Sequence, residues 1–221
     1  MNFDDVDGIL FDMDGTLVDS EPHTLSAMRA VLDEFDVGPL TLGAEDVFGM
    51  SWDAISTLML KAHPDIRVET VVDRLILHFL RICRIDGATL IPGVLDFFTW
   101  SSTHYRVGLF TSNVRSEVDA LLGEYAAFQR LEVIVTADDV AEAKPNPEGY
   151  LLLAETLGLS PARCMVFEDS LAGLTAAKAA GMRTVGVTHS CPDVSIISPH
   201  ADALISDYRS LSDFIGGRPI S

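Results

Sequence analysis

The chain has 221 residues, of which 48% are hydrophobic, and a formal net charge of −18. This hydrophobic content is sufficient for a packed core and is inconsistent with a disordered protein. The acidic excess argues against nucleic acid as a partner, because that binding depends on Lys and Arg side chains that neutralise phosphates. No apolar run reaches the roughly 18 residues that a membrane span needs. Together with the acidic N-terminus, which does not resemble a secretory signal, these features predict a soluble cytoplasmic protein.

The first predicted element is a buried strand that ends in two carboxylates. The apolar run 9–11 leads directly into Asp12, Met13, Asp14 and Gly15. Because alternate residues of a strand point to the same face, Asp12 and Asp14 project together. Two neighbouring carboxylates repel each other unless a cation neutralises them or one keeps its proton. Either condition is more typical of an active site than of a structural element.

The chain between residues 17 and 90 has the pattern of helices alone. Apolar residues at helical spacing predict helices from Glu21 to about residue 36, from about Ser51 to Lys61, and from Pro64 to about Gly87, with a short turn over 44–50. No alternating strand pattern interrupts them. We therefore predict a helical domain, residues 17–90, inserted after the first strand.

From residue 91 onwards, strands alternate with helices. Strands are predicted over 105–111, 131–136, 164–167, 183–187 and 203–205, and helices over 94–98, 118–125, 147–157 and 171–180. This alternation predicts parallel strands joined by helical crossovers. The predicted fold class is α/β: a Rossmann-like, doubly wound parallel sheet core from residues 1–16 and 91–221, with the helical domain inserted. Such sheets bind ligands at the carboxyl ends of their strands.

Three further segments place polar or charged residues at strand ends or before helices. They are Thr-Ser-Asn at 111–113, Lys-Pro-Asn-Pro at 144–147 and Glu-Asp-Ser at 168–170. Together with the Asp-Met-Asp-Gly segment at 12–15, they resemble the four motifs of the haloacid dehalogenase superfamily. The resemblance is to the branch of phosphatases and phosphomutases that includes β-phosphoglucomutase, and it spans nearly the whole chain. It implies a helical cap over a catalytic core.

The resemblance implies that Asp12 is the catalytic nucleophile and that Asp14 is the general acid and base. A carboxylate that attacks phosphorus forms an aspartyl-phosphate, and a neighbouring carboxyl can protonate the leaving oxygen and then activate water. The alternative for this segment is a solvated acidic turn or an adventitious cation site. The dehalogenases of the superfamily lack this second aspartate. The presence of Asp14 therefore favours phosphoryl transfer over dehalogenation.

The predicted phosphate-binding residues are Thr111, Ser112, Asn113 and Lys144. A hydroxyl and backbone N–H groups at a helix N-terminus bind phosphate, and an ammonium held in place by flanking prolines offsets its charge. Taken alone, the Thr-Ser-Asn segment also fits an ordinary helix N-cap. Arg115 fits either a contact with the phosphate or a position in solvent.

Mg²⁺ is the expected cofactor, with Asp12, Asp14, Glu168 and Asp169 as its predicted ligands. Mg²⁺ prefers oxygen ligands and keeps several of its waters. The resemblance implies that Asp12 and Asp169 bind through their carboxylates and Asp14 through its backbone carbonyl. Glu168 would bind directly or through water.

Candidate substrate-binding residues in the helical cap are His23, Phe48, Gly49, Ser51 and Trp52. In relatives, a loop of this Gly-x-Ser form closes over the site and selects the substrate. The β-phosphoglucomutases carry basic residues around this glycine, whereas the present chain has Phe48 and Trp52 there. His23 matches a histidine that assists the general acid in the mutases, although a histidine on a helix surface fits almost equally well.

These features predict a Mg²⁺-dependent phosphatase that acts on a small phosphorylated metabolite, with a sugar phosphate as one candidate. The alternative is a β-phosphoglucomutase-like mutase, in which a sugar hydroxyl rather than water discharges the aspartyl-phosphate. A third alternative is a catalytically silent binding module on the same fold, which the retention of all four motifs disfavours. The oligomeric state is left open, with a monomer as the working expectation.

Overall fold

The computed structural model describes residues 2–48, 50–66, 71–87, 89–123 and 125–211. The chain divides into two compact units. The first comprises Met1–Asp19 and Leu90–Ser221, and the second comprises Ser20–Thr89. The second unit thus begins three residues later and ends one residue earlier than the insertion predicted over 17–90.

The first unit contains a six-stranded sheet. Its strands are β1 Gly8–Phe11, β2 Arg106–Phe110, β3 Val133–Val135, β4 Cys164–Glu168, β5 Arg183–Val187 and β6 Ala203–Ile205. They lie in the order β3-β2-β1-β4-β5-β6, and every neighbouring pair is parallel. The predicted α/β class, with a Rossmann-like, doubly wound parallel sheet, is confirmed.

The strand order places the predicted motifs next to one another. Strands are added on one side of β1 as far as β3, and on its other side from β4 onwards. A doubly wound sheet has its ligand-binding crevice at such a reversal, outside the carboxyl ends of the strands. Asp12 follows β1, Thr111 follows β2, and Asp169 follows β4. These three residues therefore stand at neighbouring strand ends beside the crevice.

Helices connect the strands of the first unit and make up the second. The second unit contains α1 Glu21–Phe35, α2 Ala44–Val47, α3 Trp52–Ala62 and α4 Val71–Asp86, and the first contains α5 Val94–His104, α6 Arg115–Leu122, α7 Glu148–Thr156, α8 Leu171–Ala179 and α9 Val194–Ile197. None of the helices in the described ranges combines the length and the apolar character that a membrane span requires.

The core of the first unit joins the sheet to helices α7 and α8. Leu10 of β1 and Val166 of β4 are completely buried together with Tyr150 and Leu153 of α7 and residues of α8. Burying a leucine side chain contributes roughly 1.5–3 kcal/mol. Because α7 carries both core residues and the end of the Lys-Pro-Asn-Pro loop, its packing fixes where that loop lies.

The second unit has its own hydrophobic core, and its described residues contain no strand. Met28 and Val31 of α1 pack with Met59 of α3 and Leu75 of α4. The short turn predicted over 44–50 begins with the one-turn helix α2. The third predicted helix was expected to begin at Pro64, but 64–66 are not helical, and helix α4 is described from Val71. Residues 67–70, with the predicted apolar position Val68, lie outside the described residues.

Candidate active site

A lysine ammonium and two carboxylates form the centre of the site. Lys144 Nζ donates hydrogen bonds to Asp12 Oδ1 at 2.5 Å and to Glu168 Oε1 at 2.7 Å, and a longer one to the backbone oxygen of Phe110 at 3.3 Å. The side chains of Lys144, Asp12 and Glu168 are 6%, 9% and 0% exposed. Buried ions of this kind are stable only when they are paired and hydrogen-bonded. Burial alone would lower the pKa of Lys144, but the two carboxylates outweigh this effect and raise it, so the lysine stays charged.

Asp169 completes a buried acidic cluster with Asp12 and Glu168. One ligand oxygen from each residue lies within 4.8 Å of the others. Burial raises the pKa of Asp12, against the opposing charge of Lys144. Burial, together with the charges of Glu168 and Asp12, also raises the pKa of Asp169. The single ammonium therefore does not neutralise the three carboxylates of the cluster. A divalent cation would supply the remaining positive charge, and a set of oxygen donors alone fits Mg²⁺.

Asp14 is held by the segment that follows β2. Asn113 Nδ2 donates to Asp14 Oδ2 at 2.7 Å, and the backbone N–H of Asn113 donates to Thr111 Oγ1 at 3.1 Å. Thr111 is buried and Ser112 is exposed. The sequence suggested only a phosphate-binding role for Asn113. The structure shows that it also orients the second aspartate of the first motif.

The turn after β1 requires a glycine. Gly15 has φ +69°, and a Cβ atom at this position would lie 1.9 Å from Asp169 Oδ2. The backbone N–H groups of Leu17 and Val18 both donate to the carbonyl oxygen of Met13, at 2.8 and 3.0 Å. This closed turn, together with the absence of a side chain at Gly15, lets Asp169 approach the first motif.

Glu168 is held from its other side by the start of helix α8. The backbone N–H and the hydroxyl of Ser170 both donate to Glu168 Oε2 at 2.9 Å. The backbone N–H of Gly173 in turn donates to Ser170 Oγ at 3.0 Å, so this serine caps the helix. A Cβ atom at Gly173 would lie 1.6 Å from Glu168 Oε1. Gly173 is therefore needed to make room for the Glu168 carboxylate.

Replacing Gly173 with alanine is expected to destabilise the protein by about 1–3 kcal/mol, because the new methyl group overpacks a buried site. A glycine-to-alanine change inside a helix otherwise stabilises by up to about 1 kcal/mol, so the sign of the effect is diagnostic. Urea unfolding measures it. Gly8→Ala is the matched control, because its new methyl group would come closer than 3.4 Å only to the movable end of Leu159, a half-buried side chain. An equal change in the free energy of unfolding for the two variants would contradict the conclusion that Gly173 makes room for Glu168.

The second unit contains the five predicted substrate-binding residues of the cap. His23 is buried rather than on the helix surface, and its Nε2 lies 3.0 Å from the carbonyl oxygen of Gly87. Trp52 is half-buried and meets the ring of Phe79 edge-on at 5.1 Å. These contacts hold both residues within their own unit.

The loop before α3 contains the other three of these residues. Ser51 caps α3, since its hydroxyl accepts a hydrogen bond from the backbone N–H of Ala54 at 3.4 Å. Phe48 is half-buried, and Gly49 lies outside the described residues. Helix capping thus accounts for Ser51.

Two aromatic residues that the sequence did not single out flank Lys144. Its Nζ lies 4.8 Å from the ring centroid of Phe110 and 5.4 Å from that of Tyr150. In the sequence, both fall in apolar patterns and indicate only core positions. Arg115 is exposed, and its guanidinium pairs with Asp119 at 3.0 Å, which agrees with the solvent position among its two predicted alternatives.

The model of the family described as haloacid dehalogenase-like hydrolase matches residues 9–187. The chain belongs to this family. The predicted family is therefore confirmed, and so is the prediction that the chain is an enzyme. The four motifs that carried the resemblance all lie within the matched residues.

Relatives of this haloacid dehalogenase-like hydrolase align along most of their length. Validoxylamine A 7'-phosphate phosphatase of Streptomyces hygroscopicus subsp. limoneus is 31% identical over 90% of this chain and 92% of its own. Phosphoglycolate phosphatase of Escherichia coli is 30% identical over 96% and 92%. The crystal structure of a β-phosphoglucomutase-like protein from Thermotoga maritima has 31% identity and a TM-score of 0.75, covering 90% of this chain and 94% of that one.

Proposed function

We propose that this haloacid dehalogenase-like hydrolase is a Mg²⁺-dependent phosphatase of small phosphate monoesters, with a sugar phosphate as one candidate substrate. The observation that carries the proposal is the hydrogen bond from Lys144 to Asp12 beside the buried acidic cluster, at the strand ends where doubly wound sheets bind ligands. Two relatives of similar identity are phosphatases by name, for different phosphate esters. Their names support phosphate ester hydrolysis as the reaction. Because the two names give different esters, they do not identify the substrate of this chain.

In the first step of the proposed reaction, Asp12 displaces the alcohol from phosphorus. A carboxylate oxygen of Asp12 forms a bond to phosphorus while the ester P–O bond breaks, and its electron pair stays on the leaving oxygen. Asp14 gives this oxygen its proton, which makes an alcohol of a poor leaving group. The hydrogen bond from Asn113 holds the Asp14 carboxyl in place for the transfer. The products are the free alcohol and an aspartyl-phosphate on Asp12.

In the second step, water discharges the aspartyl-phosphate. Asp14, now ionised, takes a proton from a water molecule whose oxygen attacks phosphorus. The bond between phosphorus and the Asp12 oxygen breaks, and its electron pair restores the carboxylate. Inorganic phosphate leaves, and Asp14 is protonated again for the next cycle.

Phosphoryl oxygens would be bound by the segment 111–113, and the charge of Lys144 would offset theirs. The ammonium of Lys144 lies on Asp12, beside the place where the phosphoryl group is transferred, and its positive charge offsets the negative charge of that group. The hydroxyl of Thr111, the exposed Ser112 and the Asn113 amide are the donors proposed for the transferred group.

Mg²⁺ would be held by the carboxylates of Asp12 and Asp169 and by the backbone carbonyl of Asp14, with Glu168 as a direct or water-mediated ligand. When bound, the ion supplies positive charge that holds the carboxylates ionised and neutralises the transferring phosphoryl group. Both oxygens of Glu168 already accept hydrogen bonds from protein donors. This saturation favours contact through water for Glu168.

The ion is expected to be required for turnover and to stabilise the fold. With excess chelator, phosphate release should stop, and added Mg²⁺ should restore it and raise the melting temperature, because a ligand of the folded state shifts unfolding by mass action. Asp169→Asn should lose most of this shift. Asp96→Asn, a change at an exposed aspartate outside the cluster, is the control. A Mg²⁺-dependent shift of the same size in both variants would contradict the assignment of Asp169.

The mutase alternative is favoured by one observation, the likeness to the β-phosphoglucomutase-like protein from Thermotoga maritima. Against it, Phe48 and Trp52 occupy the sequence positions around Gly49 at which the resemblance implies basic residues in the mutases. Substrate selection by His23, Phe48, Gly49, Ser51 and Trp52 remains part of the proposal. The two reactions share the first step and differ in whether water or a sugar hydroxyl discharges Asp12.

The test of the proposed function is a panel of phosphate monoesters assayed for phosphate release with Mg²⁺ and with chelator. The panel contains hexose and pentose phosphates, phosphoglycolate, nucleotides and β-glucose 1-phosphate. Mg²⁺-dependent release of inorganic phosphate supports the phosphatase. Conversion of β-glucose 1-phosphate to the 6-phosphate without net release would identify the mutase. No reaction with any ester would favour the silent binding module.

A further inference from the structure

The Lys144 ammonium lies in a closed surrounding that we call the lysine cage: Asp12, Phe110, Tyr150 and Glu168. An ammonium has three donors. Here they meet Asp12 Oδ1 at 2.5 Å, Glu168 Oε1 at 2.7 Å and the carbonyl oxygen of Phe110 at 3.3 Å. The hydrogen-bonding capacity of the ammonium is thus fully used.

Two aromatic rings lie beside the ammonium. Both ring centroids lie within the roughly 6 Å range of a cation–π contact, at 4.8 Å for Phe110 and 5.4 Å for Tyr150. The two rings meet each other edge-to-face, with centroids 5.0 Å apart and an interplanar angle of 87°. Each ring therefore limits how far the other, and the ammonium, can move.

Tyr150 also contacts the cage through its hydroxyl. The side chain is 0% exposed, and its hydroxyl donates to Glu168 Oε1 at 3.4 Å, the oxygen that also accepts from Lys144. A phenylalanine at this position would pack equally well but could not make this bond. The tyrosine thus acts on the lysine in two ways, through its ring and through Glu168.

The residue before Tyr150 makes room for the Phe110 ring of the cage. A Cβ atom at Gly149 would lie 2.1 Å from Phe110 Cζ. Only a glycine at the start of α7 lets the Phe110 ring occupy its place under the ammonium. The following residue on that helix is Tyr150, so one turn of α7 positions both rings.

We propose that Tyr150 is a positioning residue that keeps the Lys144 ammonium on the Asp12 carboxylate. Lysine has a flexible four-carbon stem, and Asp12 and Glu168 compete for its charge. The hydroxyl of Tyr150 fixes Glu168, and its ring closes the aromatic side of the cage. The ammonium is then left with one position, in which it is hydrogen-bonded to the Asp12 carboxylate. The kinetic consequence rests on the proposed phosphatase function, whereas the position of the ammonium does not.

The kinetic test compares Tyr150→Phe, Tyr150→Leu and the control Tyr105→Phe in Mg²⁺-dependent hydrolysis of p-nitrophenyl phosphate. Tyr105 directly precedes β2, at the opposite end of that strand from the site. Loss of the hydroxyl should lower kcat about 3- to 10-fold, the effect of one hydrogen bond. Loss of the ring should lower it between roughly 10- and 100-fold, the cost of a misplaced catalytic group. KM should stay within about twofold for a group that acts on the nucleophile rather than on substrate binding.

A second measurement reads the lysine itself, in protein labelled with ¹⁵N-lysine. The ammonium resonance of Lys144, identified by its absence in Lys144→Arg, should be shifted upfield by the two rings. Because removing a ring changes this shift even if the ammonium stays in place, its position is read from the exchange of its protons with water. This exchange should stay close to the wild-type rate in Tyr150→Phe and become faster in Tyr150→Leu, in which the cage is open. Tyr150→Met, which also removes the ring and the hydroxyl but fills irregular space more easily, serves as the test if Tyr150→Leu does not fold.

The two readouts separate the failure of this proposal from the failure of the proposed function. If no phosphate ester is hydrolysed, the resonance alone decides whether Tyr150 positions the ammonium. Unchanged exchange of the Lys144 ammonium protons after loss of the Tyr150 ring would overturn the proposal. So would a rise in KM with unchanged kcat.

Discussion

Asp12→Asn is expected to lower kcat by on the order of 10³-fold or more, because an amide cannot form the covalent bond to phosphorus. This loss corresponds to about 4 kcal/mol of activation free energy. The fold should persist, since an amide has nearly the same shape as the carboxylate and can still accept a hydrogen bond from Lys144. The measurement is steady-state hydrolysis of p-nitrophenyl phosphate with Mg²⁺, alongside urea unfolding of the same preparation.

Asp119→Asn is the matched control for the nucleophile. Asp119 is also an aspartate paired with a cationic side chain, but it is exposed and pairs with Arg115 on the surface of α6. Its replacement should leave kcat unchanged. Full activity in Asp12→Asn would contradict the role of Asp12 as nucleophile, and with it the enzyme mechanism given above.

Lys144→Met is expected to have the largest effect on stability, together with a loss of activity. Removing one partner of a buried ion pair leaves charges uncompensated and costs about 3–5 kcal/mol. Here the two carboxylates of Asp12 and Glu168 lose their shared ammonium. Loss of this charge at the reacting centre should lower kcat by roughly 10²–10³-fold. Urea unfolding and steady-state kinetics measure the two effects.

Lys178→Met is the control for this change, because Lys178 pairs with Asp202 at 3.3 Å on the surface and is 38% exposed. Exposed pairs contribute little, so its replacement should change the unfolding free energy by no more than about 0.5 kcal/mol. Lys144→Arg tests whether charge alone suffices. The planar guanidinium should restore more stability than activity, because it does not fit an ammonium-sized space between two rings. Equal stability of Lys144→Met and Lys178→Met would contradict the buried ion-pair network.

The sequence was most informative about the sheet and the ends of its strands. Short apolar runs bounded by polar residues gave the strands over 183–187 and 203–205 with the bounds seen in the structure. The same pattern placed Asp12 and Asp169 just beyond strands β1 and β4. Local periodicity was less reliable near Pro64, where an apolar stripe suggested that the helix starts earlier than its described residues do. A proline marks a possible helix start without requiring one there.

The sequence could not show which side chains meet, because contacts follow from the strand order. Lys144 and Asp12 are separated by 132 positions, and they meet because the segment after β3 and the end of β1 lie at the same edge of the sheet, two strands apart. The role of Tyr150 could not be predicted for a different reason. Its position in the apolar pattern of α7 is explained completely by the core, and its hydroxyl contact with Glu168 depends on which direction that helix face points.

The most direct test of the account is to trap phosphate on Asp12. Nitrophenolate leaves without needing a proton, so Asp14→Asn should still be phosphorylated by p-nitrophenyl phosphate but should hydrolyse the aspartyl-phosphate slowly. Acid quenching during turnover with Mg²⁺, followed by peptide mapping with mass spectrometry, locates the phosphoryl group. Phosphate is expected on Asp12 in the Asp14→Asn variant. None is expected when Asp14→Asn is combined with Asp12→Asn. Continued release of p-nitrophenolate with no phosphate on Asp12, or with phosphate on another residue, would contradict the account.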